Sequence, residues 1–164
     1  MVYASKTEFE QVSFYYRLRC KLGKIFAQHA PHNSIRKWGL RLCGFKLGEK
    51  VYVGQDLIVA SIVSEKSCNL IIGDRVAIGP RVTIALSSDA NWSNLMNIIE
   101  FKKSTVILED DCWLGAGVII LPGVTVGKSA IVGAGSVVTK SIPPFHVFAG
   151  VPAKKINIIE SKRK

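Results

Sequence analysis

Residues 108–149 read LEDDCW LGAGVI ILPGVT VGKSAI VGAGSV VTKSIP PFHVFA, a chain that repeats every six residues and loosens only in its last unit. The first position runs Leu108, Leu114, Ile120, Val126, Val132 and Val138 before it reaches Pro144. The second position is Gly in three units, and the fifth is mostly small or branched. A six-residue period matches neither a 3.6-residue helix nor a free-standing alternating strand. It predicts an all-β solenoid in which each hexad forms one face and three hexads close a triangular turn. The aliphatic first residue then points inward, and the Gly beside it is expected to take corner backbone angles that other residues avoid.

The same rule holds upstream. Val53-Gly54, Ile72-Gly73 and Ile78-Gly79 each open a hexad, with Leu57, Val76 and Val82 at fifth positions. One extra residue between Val59 and Ile72 breaks strict phase, and a longer break runs from about Leu86 to Thr105, where Ser, Asp and Asn accumulate. A stacked array accommodates such a break as a loop thrown outward. The organisation read from the chain is a helical basic cap at residues 1–49, coils at 50–151 with an extruded loop at about 86–105, and a short C-terminal helix with a tail at 152–164, the helix starting near Pro152.

The chain has 164 residues, 48% apolar and 21% charged, enough for one well-filled core. Its longest aliphatic stretch, Leu57 to Val63, is far shorter than the roughly 20 residues a bilayer crossing needs. Glu8 and Glu10 precede a basic, aromatic segment, a pattern unlike a signal peptide, so a cytoplasmic location is expected. Cys20, Cys43, Cys68 and Cys112 show no C-x-x-C spacing, and free thiols are expected. No metal site is expected.

Net charge is +10, and residues 1–50 carry ten Lys or Arg against Glu8, Glu10 and Glu49. Phe14, Tyr15, Tyr16, Leu18, Leu22, Ile25 and Phe26 interleave with Arg17, Arg19, Lys21 and Lys24 as in a basic amphipathic helix, and Arg36 to Leu42 reads as a second. Two roles stand for this cap. It covers the open end of the solenoid with its basic face solvated, or it makes peripheral contact with an anionic membrane surface. Nucleic acid is not expected as a partner, because no binding motif accompanies the charge.

Three stretches carry a resemblance: Asp111-Cys112-Trp113-Leu114-Gly115-Ala116, Leu121-Pro122-Gly123-Val124-Thr125-Val126-Gly127, and Gly133-Ala134-Gly135-Ser136-Val137-Val138-Thr139-Lys140. With Ala149-Gly150-Val151-Pro152-Ala153-Lys154 they make residues 50–157 resemble the hexapeptide-repeat acyltransferases, sugar O-acetyltransferase branch. The resemblance implies a left-handed parallel β-helix, a homotrimer with active sites between neighbouring prisms, and acetyl-CoA as acetyl donor. It implies coenzyme contacts at Trp113, Gly115, Ala116, Ala134, Thr139, Lys140 and Lys154, the lysines facing phosphates. It also implies Gly115 and Ala116 N–H groups as oxyanion donors. Gly115 and Trp113 have structural readings beside these, as a coil corner and as packing between subunits.

Acetyl transfer from a thioester to a hydroxyl needs a base, oxyanion donors and alignment. Enzymes that this chain resembles place a His-Pro pair on the loop after a Val-Thr-Ile-like sequence. Here Val82-Thr83-Ile84 leads to Asp89-Ala90 at those positions. Asp89 is the candidate catalytic residue, although the ordinary Asp pKa of about 3.9 lies about 2.6 units below that of His. Two alternatives stand beside it. Asp89 orients the acceptor while His29, His32 or His146 serves as base, or the chain is a scaffold with impaired catalysis. Ser88, Asn91 and Trp92 are candidate contacts for a saccharide acceptor. The expected function is O-acetylation of a sugar hydroxyl, in polysaccharide or lipopolysaccharide assembly. N-acetylation of an amino or nucleotide sugar is the alternative. Serine acetyltransferases need a larger N-terminal domain, and γ-type carbonic anhydrases a three-histidine zinc site that this sequence lacks.

Overall fold

The structure is a computed structural model that describes residues 13–61, 69–88, 94, 98 and 102–160. Two helices, α1 (Phe14–His29) and α2 (Asn33–Leu42), precede the strands. A first coil holds β1 (Lys46–Leu47), β2 (Tyr52–Val53) and β3 (Ile58–Ala60), and a second holds β4 (Leu70–Ile72), β5 (Ala77–Ile78) and β6 (Thr83–Ala85). A side ribbon of β7 (Ser87–Ser88) and β8 (Lys102–Lys103) follows. The third coil is β9 (Val106–Leu108), β10 (Trp113–Leu114) and β11 (Ile119–Ile120), and the fourth is β12 (Thr125–Val126), β13 (Ile131–Val132) and β14 (Val137–Val138). β15 (His146–Ala149) and β16 (Lys154–Ile158) end the chain.

Successive strands visit three parallel sheets in rotation. The first face stacks β1-β4-β9-β12, the second β2-β5-β10-β13-β15, and the third β3-β6-β11-β14. Leu108 pairs with Val126, Leu114 with Val132 and Ile120 with Val138, each pair eighteen residues apart, so three hexads do make one coil. Earlier coils absorb extra chain without losing register. Val53 pairs with Ile78, seven residues beyond one coil, and the single-residue phase slip in the sequence is what remains of that excess after one whole hexad. Ile72 pairs with Leu108, a full coil-length too far, and the surplus leaves through β7 and β8.

First-position residues Val53, Ile78, Leu114, Ile120, Val126, Val132 and Val138 fill the interior with fifth-position Leu57, Val76, Val82, Cys112, Val118 and Val124. Ser136 is a buried polar exception. Its hydroxyl donates to Gly133 O at 2.6 Å and accepts from Gly150 N at 3.0 Å, so its burial leaves no unmet group.

The glycine expectation needs correction. Positive φ falls on the fourth hexad position, as Lys50, Asp56, Arg75, Arg81, Asp111, Ser129, Gly117, Gly123 and Gly135. Second-position glycines do not carry the corner angle; they permit contact between coils. A Cβ on Gly115 would stand 2.6 Å from Ala134 N, and one on Gly127 would stand 2.5 Å from Pro144 N. Adjacent strands lie only about 4.8 Å apart, so backbone meets backbone there and a side chain has no room.

Both ends of the stack expose strand edges, which need partners. At the first coil, Asn33 Oδ1 accepts from Val53 N at 2.9 Å, and buried Arg36 donates to Val53 O at 2.8 Å and to the Ala30 and Pro31 carbonyls. Leu40, Cys43 and Phe45 close the interior. The helices cross at glycines, since a Cβ on Gly23 or Gly39 would lie 2.5 Å from the other's carbonyl oxygen. At the far end the expected C-terminal helix is absent. Residues 150–153 turn, and β16 runs back antiparallel along β15. A helix bonds internally and would leave the outer edge of β15 unpaired, whereas a strand pairs it.

A ladder of side chains ties the corner between first and second faces. Asp74 Oδ1 accepts from Glu49 N at 2.8 Å, Asp110 Oδ1 from Asp74 N at 2.9 Å, and Arg75 grips Asp111 through two bonds of 2.6 and 2.8 Å. The Arg75 guanidinium holds the Asp111 carboxyl below its ordinary range. A depressed carboxyl pKa stabilises the fold above the unfolded value of about 3.9, and that contribution disappears as pH falls through the folded value. Asp111→Asn should therefore lower Tm at pH 7, with the difference from wild type closing in acid. Gly127→Ala should cost about 1–3 kcal/mol from overpacking, whereas Ser129→Gly, at φ 54°, should stay within about 1 kcal/mol because Gly accepts that angle. Denaturation at fixed protein concentration measures both.

Candidate functional site

The third face is the common ground of the candidate residues. Its outer surface carries Thr83, Ile119 and Val137, aligned by the register Thr83↔Ile119↔Val137. Two corners flank it. At the corner leading in, third-position residues Pro80, Ala116 and Ala134 stack, joined by Gly117 N→Pro80 O at 2.9 Å and Gly135 N→Ala116 O at 2.8 Å. At the corner leading out, the register Ile84↔Ile120↔Val138 aligns Ala85-Leu86, Leu121-Pro122 and Thr139-Lys140.

The incoming corner is bare. A Cβ added to Gly117 or Gly135 would meet nothing within 4 Å, and Ala116 and Ala134 present only methyl groups. A thin chain can lie along such a strip against the backbone. Pro80 precedes Ala116 in the column, a residue that sequence reasoning passed over; its signal is its hexad position, the same as that of Ala116 and Ala134. Gly115 differs from these. Its N–H already donates to Val132 O at 2.8 Å, so it is not available to an oxyanion, and its missing side chain serves the contact with Ala134. Ala116 N–H remains, with no hydrogen-bond partner among the described residues.

The outgoing corner carries Lys140 and the base of the loop. Thr139 and Lys140 are exposed there. The chain end meets this face through Gly150 and Ala153, because Val137 N donates to Gly150 O and Ala153 N donates to Val137 O at 2.8 Å, and exposed Lys154 follows on β16, paired with Ala149 of the second face. Below, Ser104 N donates to Leu86 O at 3.0 Å and closes the base of the extruded ribbon. Ser88 is exposed in that ribbon and pairs with Lys102. Asp89, Asn91 and Trp92 lie outside the described residues.

The other candidates sit elsewhere. Trp113, 54% exposed, stands on the second face between Ala77 and Ile131, one corner away from Ala116. His29 ends α1, and His32 caps α2 by accepting from Ser34 N through Nδ1 at 3.4 Å. His146 is on β15 of the second face, its Nδ1 2.8 Å from Pro144 O. A depression of about 290 Å³ opens on the first face, lined by Ile71, Ile107, Glu109, Asp110 and Lys128.

The described cysteines are free and buried. Burial pushes the thiols of Cys43 and Cys112 up to about 12, and the neighbouring Cys20 adds to the rise at Cys43. A thiol held protonated at neutral pH is a poor nucleophile. Among the described residues, the groups on the third face are backbone, hydroxyl and ammonium groups, which bind and orient.

A family model described as bacterial transferase hexapeptide (six repeats) matches residues 105–140. The galactoside O-acetyltransferase of Escherichia coli (strain K12) is 34% identical over 123 residues, covering 73% of this chain and 60% of that protein. The chain thus spans less than two thirds of the length of this curated relative. Among solved structures, a maltose O-acetyltransferase from Clostridium difficile 630 matches with a TM-score of 0.63 at 31% identity, over 90% of this chain and 88% of that one. A galactoside acetyltransferase in complex with coenzyme A matches with a TM-score of 0.62 at 27% identity, over 90% and 82% of the two chains.

With Cys68 replaced by Ala, the native protein should show no rapid thiol labelling at pH 8, and three thiols should appear on unfolding. Prompt labelling of Cys112 in the native state would contradict its placement inside the coils.

Proposed function

Because this chain belongs to the hexapeptide-repeat acyltransferases, in the branch of the sugar O-acetyltransferases, we propose that it transfers an acetyl group from acetyl-CoA to a hydroxyl of a saccharide. The observation that carries the reading is the convergence on one face of a bare Ala-Gly strip, a Thr-Lys corner and the base of the extruded loop. In this reading the coils wind left-handed, the molecule is a homotrimer whose neighbouring prisms complete each site, and the reaction takes place in the cytoplasm where its donor is present.

Acetyl-CoA supplies an activated acetyl thioester. Its donor arm fits the strip at Ala116-Gly117 and Ala134-Gly135, where any larger side chain would stand in the way. Lys140 and Lys154 hold phosphates through charge-assisted hydrogen bonds. Ala116 N–H is the remaining backbone donor for the developing oxyanion. Trp113 walls the approach from the second face. On the acceptor side, Asp89 takes the hydroxyl proton while Ser88, Asn91 and Trp92 position the sugar ring. A direct transfer needs that base, the oxyanion donor and alignment, with no covalent enzyme intermediate.

The acceptor class is supported by relatives whose names specify galactoside and maltose. An assembly step on a polysaccharide or lipopolysaccharide fits this class. An amino sugar remains the second acceptor to compare, since a neutral amine needs less help from a base than a hydroxyl does.

Calorimetric titration with acetyl-CoA should give saturable binding, weakened about tenfold or more by Lys140→Ala. Release of free coenzyme thiol in the presence of a panel of sugars and nucleotide sugars should identify the acceptor. Asp89→Asn should bind acetyl-CoA normally and lose at least about 10²-fold in turnover. Absence of cofactor binding would refute the transferase reading, and full turnover by Asp89→Asn would transfer the base role to a histidine.

A further inference from the structure

Helix α1 has two apolar faces, and the coils use only one. Cys20, Gly23 and Ala27 are buried against α2 and the stack. Phe14, Tyr15, Leu18, Leu22 and Ile25 are all exposed, from 43% at Leu18 and Leu22 to 80% at Tyr15. At about 100° per residue these five fall in one arc of about 100°, on the side of the helix opposite the buried three. Trp38 of α2, half exposed with its ring 5.3 Å from that of Phe26, extends the apolar surface across the hairpin. A contiguous stripe of large side chains facing away from the core calls for a covering partner.

The charges around the stripe say what that partner is. On the same wheel Arg17 and Lys21 border one side of the stripe, and Arg19, 5.1 Å over the Tyr16 ring, borders the other. No Asp or Glu occurs between Ser13 and Gly48, while Lys37, Arg41 and Lys46 add further positive charge. Two basic residues are committed inward: Arg36 to the carbonyls of Val53, Ala30 and Pro31, and Lys24 to Ser61 at 2.9 Å. Arg17, Arg19 and Lys21 remain beside the stripe. A second copy of α1 laid against the first would bring Arg17, Arg19 and Lys21 against the same three residues, which opposes self-association. No described helix is long and apolar enough to cross a membrane. An apolar arc framed by cations on a helix of this length suits the interfacial plane of a bilayer.

We propose that the outward apolar face of α1, framed by Arg17, Arg19 and Lys21, docks this protein on an anionic lipid bilayer, the helix lying parallel to the surface. Aliphatic and aromatic side chains enter the acyl boundary, while guanidinium and ammonium groups meet lipid phosphates.

Co-sedimentation of the full chain with vesicles tests this directly. Vesicles containing about 30% phosphatidylglycerol should retain the protein at least about tenfold better than phosphatidylcholine alone at low salt, and about 0.5 M salt should reduce retention. Leu18→Glu with Leu22→Glu should lose at least about tenfold in partitioning, with circular dichroism, oligomeric mass and acetyl-CoA binding unchanged. Arg17→Gln with Lys21→Gln should lose about fivefold per residue on anionic vesicles only. No retention at low salt overturns the proposal, as does equal retention of the double Glu variant. A change of oligomeric mass in that variant would overturn it too, by identifying the stripe as an interface between copies. Acetyl-CoA binding is read separately, so failure here leaves the catalytic reading standing.

Discussion

The distance of about 4.8 Å between one coil and the next is the constraint from which the rest of this molecule follows. At the second hexad position the backbone of one coil touches the backbone of its neighbour, and glycine is the residue that permits it. Gly54, Gly79, Gly115 and Gly127 all face main-chain atoms at 2.5–2.8 Å from where a Cβ would stand. The inward aliphatic column is the other half of that constraint. Successive coils are held by parallel hydrogen bonds in a fixed register, so Leu114 must lie between Ile78 and Val132.

Register also makes the site. Residues far apart in sequence become neighbours because they hold the same phase in different coils. Thr139 and Lys140 share a corner with Leu86, where the extruded ribbon leaves, and Ala134 stacks beside Ala116 and Pro80. The ends of the stack are closed by different means. The first coil is met by side chains of α2, with Asn33 and Arg36 acting as surrogate strand partners. The last is met by its own returning strand. That closing turn also ties the chain end to the third face, through the bonds of Gly150 and Ala153 with Val137.

Much of this was legible from the residues. The hexad period announces stacked strands, the lapse after Leu86 marks the departing loop, and the basic aromatic run at Phe14 to Phe26 marks a helix. Candidate residues Ala116, Ala134, Thr139 and Lys140 lie at the two corners of one face, while Lys154 lies on the neighbouring strand β16. What was not legible involved geometry at the level of single contacts. Glycine at position two suggested an unusual angle, but the angle sits two residues later, where Lys50, Arg75 and Ser129 adopt it. Pro152 suggested a helix start, but the exposed edge of β15 draws the chain into a strand. The Gly115 N–H was a candidate oxyanion donor, but it belongs to the ladder through Val132 O.

The sequence by itself determined the coil. An inward aliphatic residue every sixth position and a glycine beside it are local rules, repeated often enough that no long-range information is needed to read them. Tertiary structure decided everything that depends on which coil lies against which. It placed the Ala-Gly strip and the Thr-Lys corner on opposite sides of one face, and it turned Arg36 and Lys24 inward while leaving Arg17, Arg19 and Lys21 around an apolar stripe. The physical reason is that hydrogen bonds between coils and free strand edges are properties of pairs of segments. Their partners are chosen only once the chain is wound.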